Sequence, residues 1–516
     1  MPIMLNYKSF PLKNQPMKGC FILQRRFVYI GHNIAVFLKE NYGVKDFCSY
    51  VLLRPSYNFL KSQTDINYTK LLLDEEIHKD FKKVKLDIDY LRWLEKEYGI
   101  PNLWPYLTVD RVIMSNQAVR EYPYDTSPYT HEEMLKILQV KAKAILDFLE
   151  REKPDFIFAS VIGSVGVYLL YHIAKKKNIK MLVVLPTSIK NTYTISEHYA
   201  YFTEVEKKMF GAEKEPSATS MEKAKQFIQN FRSHPAPYYD EASPQRQPVF
   251  RYQQMKFLLP HNLLKICLWT AKYLLRYFQS DERQDYSYSG PFNYIKDGIK
   301  RKLRNLIGAY DLYDTFNPTD DFVFFPLHLE PEISLLLQAQ FFTDQLHTIK
   351  MIARSLPVGY QIYVKEHPLM VPYRPRSFYK QLKKTPNVKL LDPSITSFQI
   401  IPHAKLITVI TGAAGWEATI LGKPVITFGE IFYNKLSFVG KCPKIEDLPF
   451  VVKNLLENPR FDEDELIRYI AAVIEESADV NLQYLWEHEN DMEKKKEGVK
   501  TLADLLAKKL NLQKNA

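Results

Sequence analysis

An α/β fold built on two doubly wound parallel sheets is what this sequence predicts, and three observations predict it. At 516 residues the chain exceeds one ordinary core. Short apolar runs alternate with helical stretches in the first third, and do so again from about residue 321. Between the two blocks, from about 212 to 250, the pattern dissolves into "EKEPSATS" and "RSHPAPYYDEASPQRQP", rich in Pro, Ser and charge. The expected organisation is a first Rossmann-like domain at 1–211, a linker and amphipathic helical region at 212–317, a second Rossmann-like domain at 318–459, and C-terminal helices at 460–516.

In the first block, "CFILQ" (20–24) reads as a strand, followed by a helix through "NIAVFLKENYG". The stretch "TKLLLDEEIHKDFKKVKLDIDYLRWLEKEYGI" reads as polar helix. "HEEMLKILQVKAKAILDFLEREKP" has helical apolar spacing, acids in its first turn and a terminating proline. "DFIFAS", the glycine-containing "VIGSVG" loop with its helix, and "MLVVLPTS" then form a βαβ unit. In the second block the predicted strands are "DFVFFPLH", "YQIYVKEHP", "VKLLDP", "LITVI" and "PVITFG". A long helix is expected over "SLLLQAQFFTDQLHTIKMIARSLP", and charged helix without strands after about 460.

Hydrophobic residues make up 46% of the chain, so most of it is expected to fold. The four cysteines stand far apart, which argues for a reducing compartment and against a disulfide framework or zinc cluster. The N-terminal 27 residues contain no apolar signal region, and no window reaches the roughly 18 apolar residues of a membrane span. The expectation is a cytoplasmic protein. A net charge of +11 suits an anionic partner, but no nucleic-acid motif accompanies it, so nucleic acid is not the expected one. The helix "HNLLKICLWTAKYLLRYF" (261–278) puts Lys265, Lys272 and Arg276 on one side. Leu264, Cys267, Leu268, Ala271, Leu274, Leu275 and Phe278 share another. It is read either as packing its apolar face on the body of the protein, or as lying peripherally on the inner face of the cell membrane.

The strand-end loops of the second block converge on one crevice, where open α/β sheets bind ligands. In "VITGAAGWEATILGKP", Thr411 and Gly412 turn the chain into a helix, and the small residues from Gly412 and Ala413 onward let backbone amides approach an anion. The same turn also serves as a plain strand-to-helix connection. The spacing is neither GxGxxG nor GxxxxGK[ST], so no dinucleotide or P-loop fingerprint is present. Glu417 suits two ribose hydroxyls, or equally a helix-dipole complement. In "VKEHP", Lys365 and His367 alternate onto one side of a strand end, offering a charge and a donor to phosphate, and Pro368 stiffens the exit. His328 and Glu332 in "PLHLEPEIS" face donor or acceptor, or are ordinary loop residues. Ser394 and Ser397 hold a base or sugar, or cap a helix. For the catalytic base, Glu197, Asp125 and His328 are candidates among which the residues do not choose.

The block from about 321 to 440 resembles the capsule polysaccharide biosynthesis glycosyltransferases, a family that includes Kdo transferases. The resemblance rests on "PLHLEPEIS", "KEHP", "TGAAGWEA" and "GKPVITFGEIFY" in that order, about a quarter of the chain. It implies the two-domain GT-B fold, with the nucleotide sugar on the C-terminal domain, an oligosaccharide or lipid-linked glycan acceptor on the N-terminal one, and tail helices crossing back to the latter. It places Lys365 and His367 on the nucleotide phosphate, Thr411 and Gly412 at a second phosphate-binding turn, Glu417 near the ribose, and Gly429 and Tyr433 beside the base. It implies no metal or other cofactor, because helix dipoles and basic side chains meet the leaving group's charge. The expected activity is metal-independent sugar transfer from a nucleotide-sugar donor to a glycan in surface polysaccharide synthesis. The rival readings are an epimerase of the UDP-GlcNAc 2-epimerase type and a non-catalytic nucleotide- or sugar-binding scaffold.

Overall fold

The computed structural model describes residues 17–25, 27–120, 122–211, 215–238, 249–279, 285–442 and 444–515. The start of the chain (1–16), part of the reading on a leader, lies outside the described residues, as do 212–214 and 239–248 of the Pro-rich stretch. The strands are β1 (Lys18–Leu23), β2 (Asp46–Val51), β3 (Tyr68–Leu73), β4 (Phe156–Ala159), β5 (Lys180–Pro186), β6 (Thr192–Ser196), β7 (Phe322–Pro326), β8 (Gln361–Lys365), β9 (Val388–Leu391), β10 (Leu406–Val409), β11 (Val425–Thr427), β12 (Val439–Lys441) and β13 (Ser477–Asp479). They form one seven-stranded sheet in the order β13-β6-β5-β4-β1-β2-β3 and one six-stranded sheet in the order β12-β11-β10-β7-β8-β9. The fold is α/β with two Rossmann-like sheets.

The second sheet is parallel throughout. Its central strands are buried on both faces because helices cover both, which is why "FVFF", "IYV" and "LITV" are unbroken apolar runs. In the first sheet β1 to β5 are parallel, but β6 turns back antiparallel and β13 joins antiparallel at the edge. The reversal into β6 is a tight turn. Thr187 N–H donates to Thr192 O at 3.2 Å, and Ser188 and Asn191 adopt the left-handed conformation that the turn needs.

The tail differs from the expectation of charged helix alone. Helix Glu463–Glu475 packs on helices Thr203–Phe210 and Ala218–Ser233, sharing a core with the second sheet, and β13 then enters the first sheet. Helix Met492–Lys509 lies along helix Phe27–Tyr42, with Leu502 and Leu506 buried in a cluster that includes Ile34 and Leu38. Each such leucine contributes about 1.5–3 kcal/mol. The ends are fixed by Tyr42 Oη donating to Asp504 Oδ1 at 2.5 Å and Lys180 Nζ to Lys509 O at 2.6 Å.

Other elements also depart from the sequence reading. Residues 218–233, placed within the connecting region, form a helix that buries Ala224 and Ile228 in the second core. The long helix expected after β7 is two. Ile333–Leu336 ends early, and Gln345–Arg354 starts afresh where Asp344 accepts the His347 amide at 3.0 Å. The "polar helix" expected from Thr69 begins inside β3, an edge strand in which the adjacent Thr69 and Lys70 are both exposed and no apolar alternation marks a strand.

Candidate functional site

Strand order in the second sheet reverses at β7, flanked by β8 on one side and β10 on the other. Beyond the carboxyl ends of such a switch point lies the natural binding crevice of an open sheet. A cavity of about 490 Å³ occupies it. Loops leaving four strands line it: His328 and Glu332 after β7, Lys365, His367 and Pro368 after β8, Ser394 and Ser397 after β9, and Thr411, Gly412 and Ala413 after β10. Glu417 lines it from the helix Ala413–Ile420. A fifth wall, absent from the sequence reading, is Pro235–Tyr238 of the Pro-rich connection.

The glycine turn is held tightly. Gly412 is the N-cap of the helix and brings no side-chain cap, so the amides of Ala413 and Ala414 begin a helix with no intrahelical acceptor. These amides and the helix dipole favour an anion. A Cβ on Gly415 would come within 2.3 Å of Tyr433 Oη, the hydroxyl that donates to Gly412 O at 2.8 Å. Glycine at 415 therefore leaves room for the tyrosine that pins the turn from beneath.

Hydrogen bonds settle the histidine tautomers. The Leu369 amide donates to His367 Nδ1 at 3.2 Å, so a neutral His367 carries its proton on Nε2. The Thr411 amide donates to His328 Nε2 at 3.2 Å, which puts the proton of a neutral His328 on its buried Nδ1. Burial, followed by neighbouring charge, lowers His367 to about 4 and His328 to about 3. Both are neutral donors at pH 7 rather than cations. The positive charge in the cavity is Lys365, which burial lowers to about 8 against the pull of Glu366, Glu417 and Asp392. Burial raises Glu417 to about 7, offset by Lys365. Among the described residues its carboxyl group has no hydrogen-bond partner, so it stands open to the cavity.

Two residues that the sequence reading passed over hold the loops in place. Arg374, fully buried, pairs with Glu366 and with Glu330 (3.0 Å to the latter) and donates to His328 O at 2.8 Å. Glu366 also accepts from Tyr379 Oη at 2.8 Å and from the His367 amide at 2.6 Å. This network ties the β7 and β8 loops together.

The remaining predicted positions fall as follows. Glu332 accepts from Ser334 Oγ at 2.9 Å, and burial raises its pKa. Ser394 donates to Asp392 Oδ1 at 2.6 Å, and Thr396 caps the short helix that begins at Ser397. Gly429 and Tyr433 do not line this cavity. Tyr433 is buried beneath the turn, and Gly429 packs so closely under Thr411 that a Cβ would come within 2.5 Å of its methyl. Gly429 instead lines a separate cavity of about 410 Å³. Glu197 faces Lys180 at 3.6 Å, and exposed Asp125 lines another cavity of about 760 Å³; neither reaches the crevice.

The first sheet has its own switch point, between β1 and β4, and a second cavity of about 490 Å³ lies beyond it. The two cavities meet at neighbouring residues of one loop, with Glu332 lining one and Ile333 the other. Contact is close, since a Cβ on Gly163 would lie 2.4 Å from Ile333 Cδ1.

Two Rossmann-like sheets whose switch-point cavities adjoin define the GT-B class of architecture. Residues 230–438, which contain the whole lining of the cavity beyond β7 and β10, match the family described as capsule polysaccharide biosynthesis protein. Protein FixF of Sinorhizobium fredii (strain NBRC 101917 / NGR234) is 29% identical over 124 residues, a match covering 23% of this chain and 30% of that relative. Among solved structures, the beta Kdo 2,4 transferase KpsC of Thermosulfurimonas dismutans is similar at 14% identity and TM-score 0.37, over 64% of this chain and 83% of its own. UDP-GlcNAc 2-epimerase from Neisseria meningitidis is similar at 11% identity and TM-score 0.27, over 96% of this chain and 100% of its own.

Proposed function

We propose that this chain is a glycosyltransferase. It takes a nucleotide sugar in the cavity beyond β7 and β10 and transfers the sugar to a glycan acceptor entering from the first sheet, in surface polysaccharide synthesis. The carrying observation is the convergence of Lys365, the His367 Nε2–H, the Ala413 and Ala414 amides and the open Glu417 carboxylate around one cavity that adjoins a second. The amides, Lys365 and His367 meet diphosphate charge as the nucleotide leaves, chemistry that calls for no metal in this reading. Glu417 receives ribose hydroxyls. A thermal-shift screen against CMP, UDP, GDP and dTDP identifies the base. His367→Ala is expected to weaken binding of the nucleotide so found by about 1–3 kcal/mol, the loss of a hydrogen bond to a charged acceptor. Unchanged binding by calorimetry would remove His367 from the site. Donor consumed without any acceptor would favour the epimerase reading instead.

The same reading includes attachment to an anionic membrane surface. Helix Pro260–Gln279 has no buried residue, and Leu264, Leu268, Leu275 and Phe278 are each about 60% exposed or more. It is seated by its other side, through Tyr273 Oη to Ser289 O at 3.0 Å and the Tyr273–Tyr294 ring contact. Helix Pro291–Ile307 beside it exposes Ile299, Leu303 and Ile307. The apolar stripe thus does not pack on the body of the protein, and Lys265, Lys272 and Arg276 accompany it. Among the described residues no helix is long and apolar enough to cross a membrane. The protein is expected to float with vesicles of phosphatidylglycerol and phosphatidylcholine, and the Leu264→Glu, Leu268→Glu double variant to stay behind. Wild-type protein that does not float would end the membrane reading.

A further inference from the structure

We propose that the cavity beyond β1 and β4 is a binding site for an anionic group, a carboxylate or a phosphate, held by Arg111 and Arg25. Calling its bearer the acceptor rests on the transferase reading above; the anion site itself rests on the cavity.

The first sheet reverses its strand order between β1 and β4, and the loops leaving those two strands line this cavity through Arg25 and through Ser160, Gly163 and Ser164. A binding crevice is expected at that place on topology alone. Arg111 enters from the segment that precedes the cis-proline loop at Tyr122-Pro123. Its guanidinium is largely buried, yet among the described residues neither it nor that of Arg25 makes a hydrogen bond or an ion pair. Two guanidinium groups brought together without a counter-ion repel each other. Burial and then the Arg25 charge act to lower the pKa of Arg111.

The carboxylates nearby do not discharge the pair. Asp110 lines the same cavity, but its oxygens already accept three backbone amides, from Val112 at 3.0 Å and from Ile113 and Val165 at 3.2 Å. Glu332 acts on Arg111 through space from the adjoining cavity while it accepts from Ser334. A buried cation is ordinarily paired, and a planar guanidinium with free N–H groups matches the two oxygens of a carboxylate or phosphate. Much of the remaining wall, including Phe27, Leu52, Val184 and Ile333, is apolar, with Gln24, Tyr193, Tyr286 and Ser287 as its polar members, so an anion entering here is partly shielded from water.

The test uses inorganic phosphate, followed by 31P line broadening, and glucuronate, followed by saturation-transfer NMR, with glucose as the neutral control. At least one anion is expected to bind the 516-residue chain and glucose not to bind; the anion that binds identifies the group. Arg111→Ala and Arg25→Ala should each weaken binding about tenfold or more. Arg111→Lys, which keeps the charge but loses the fork, should fall between. The double variant Lys365→Ala, His367→Ala should lose nucleotide binding and keep the anion. Arg25 is exposed, so its variant serves if Arg111→Ala melts early. The proposal is overturned if neither anion binds, if glucose binds as well as glucuronate, if both arginine variants bind like wild type, or if the signal disappears only in the Lys365, His367 variant. Failure of the nucleotide reading would show separately, as no nucleotide binding beside an intact anion result.

Discussion

Replacing Arg374 with alanine is expected to destabilise the C-terminal half by about 3–5 kcal/mol, the usual result of removing one partner from a buried ion pair. Arg374 has no exposed surface to speak of and is shared by Glu366 and Glu330. Its removal leaves two carboxylates out of water, and Glu330 is already raised by burial with Arg374 as the chief opposing influence. It also strips the donor from His328 O. Denaturant unfolding, followed for the transition that reports the second sheet, measures the loss. Lys383→Ala is the control. It breaks a part-exposed pair with Asp314 and is expected to cost about 0–1 kcal/mol. If the two variants unfold alike, the network is not what holds the β7 and β8 loops together.

Lys365→Ala is expected to weaken nucleotide binding by about 2–4 kcal/mol, more than His367→Ala, because it removes the one cation that lines the cavity among the described residues. His367 is neutral and loses only a donor. The pH dependence follows from the same lysine. Burial has brought it to about 8, so it is largely protonated at pH 7 and largely neutral by pH 9. A bound phosphate favours the charged form, so binding requires proton uptake once the pH exceeds 8. Affinity should therefore be full below pH 8 and fall as pH rises through it. In Lys365→Ala that fall should be absent.

The parts of this structure legible in the sequence were those where burial left an unbroken apolar signature. β7, β8 and β10 read as strands because both faces are covered, and their exit loops could then be placed at one end of a sheet. Lys365, His367, Gly412 and Glu417 were legible for that reason, and the structure brings them into one lining. β3 was not, since an edge strand with adjacent exposed residues, Thr69 and Lys70, and no apolar alternation looks like polar helix. Nor was β13, whose "SAD" carries no strand signal and pairs only because the tail passes the open edge at β6. Gly429 and Tyr433 sit near the site in sequence and support it from below, a distinction that only packing reveals. Arg374 and Glu366 had no pattern to betray them, because an ion pair across eight residues of loop depends on how that loop folds. Arg111 and Arg25 lie 86 positions apart and meet only through the switch point of the first sheet.

The central claim is that the cavity beyond β7 and β10 grips a nucleotide by its phosphates. The measurement that tests it most directly is calorimetric titration of the wild-type chain and Lys365→Ala with CMP, UDP, GDP and dTDP at pH 7 and pH 9. The account predicts that one nucleotide binds wild type, that its affinity drops at pH 9, and that Lys365→Ala binds roughly 30-fold or more weakly and without that drop. No binding by any of the four, or equal binding by wild type and variant at both pH values, would contradict it.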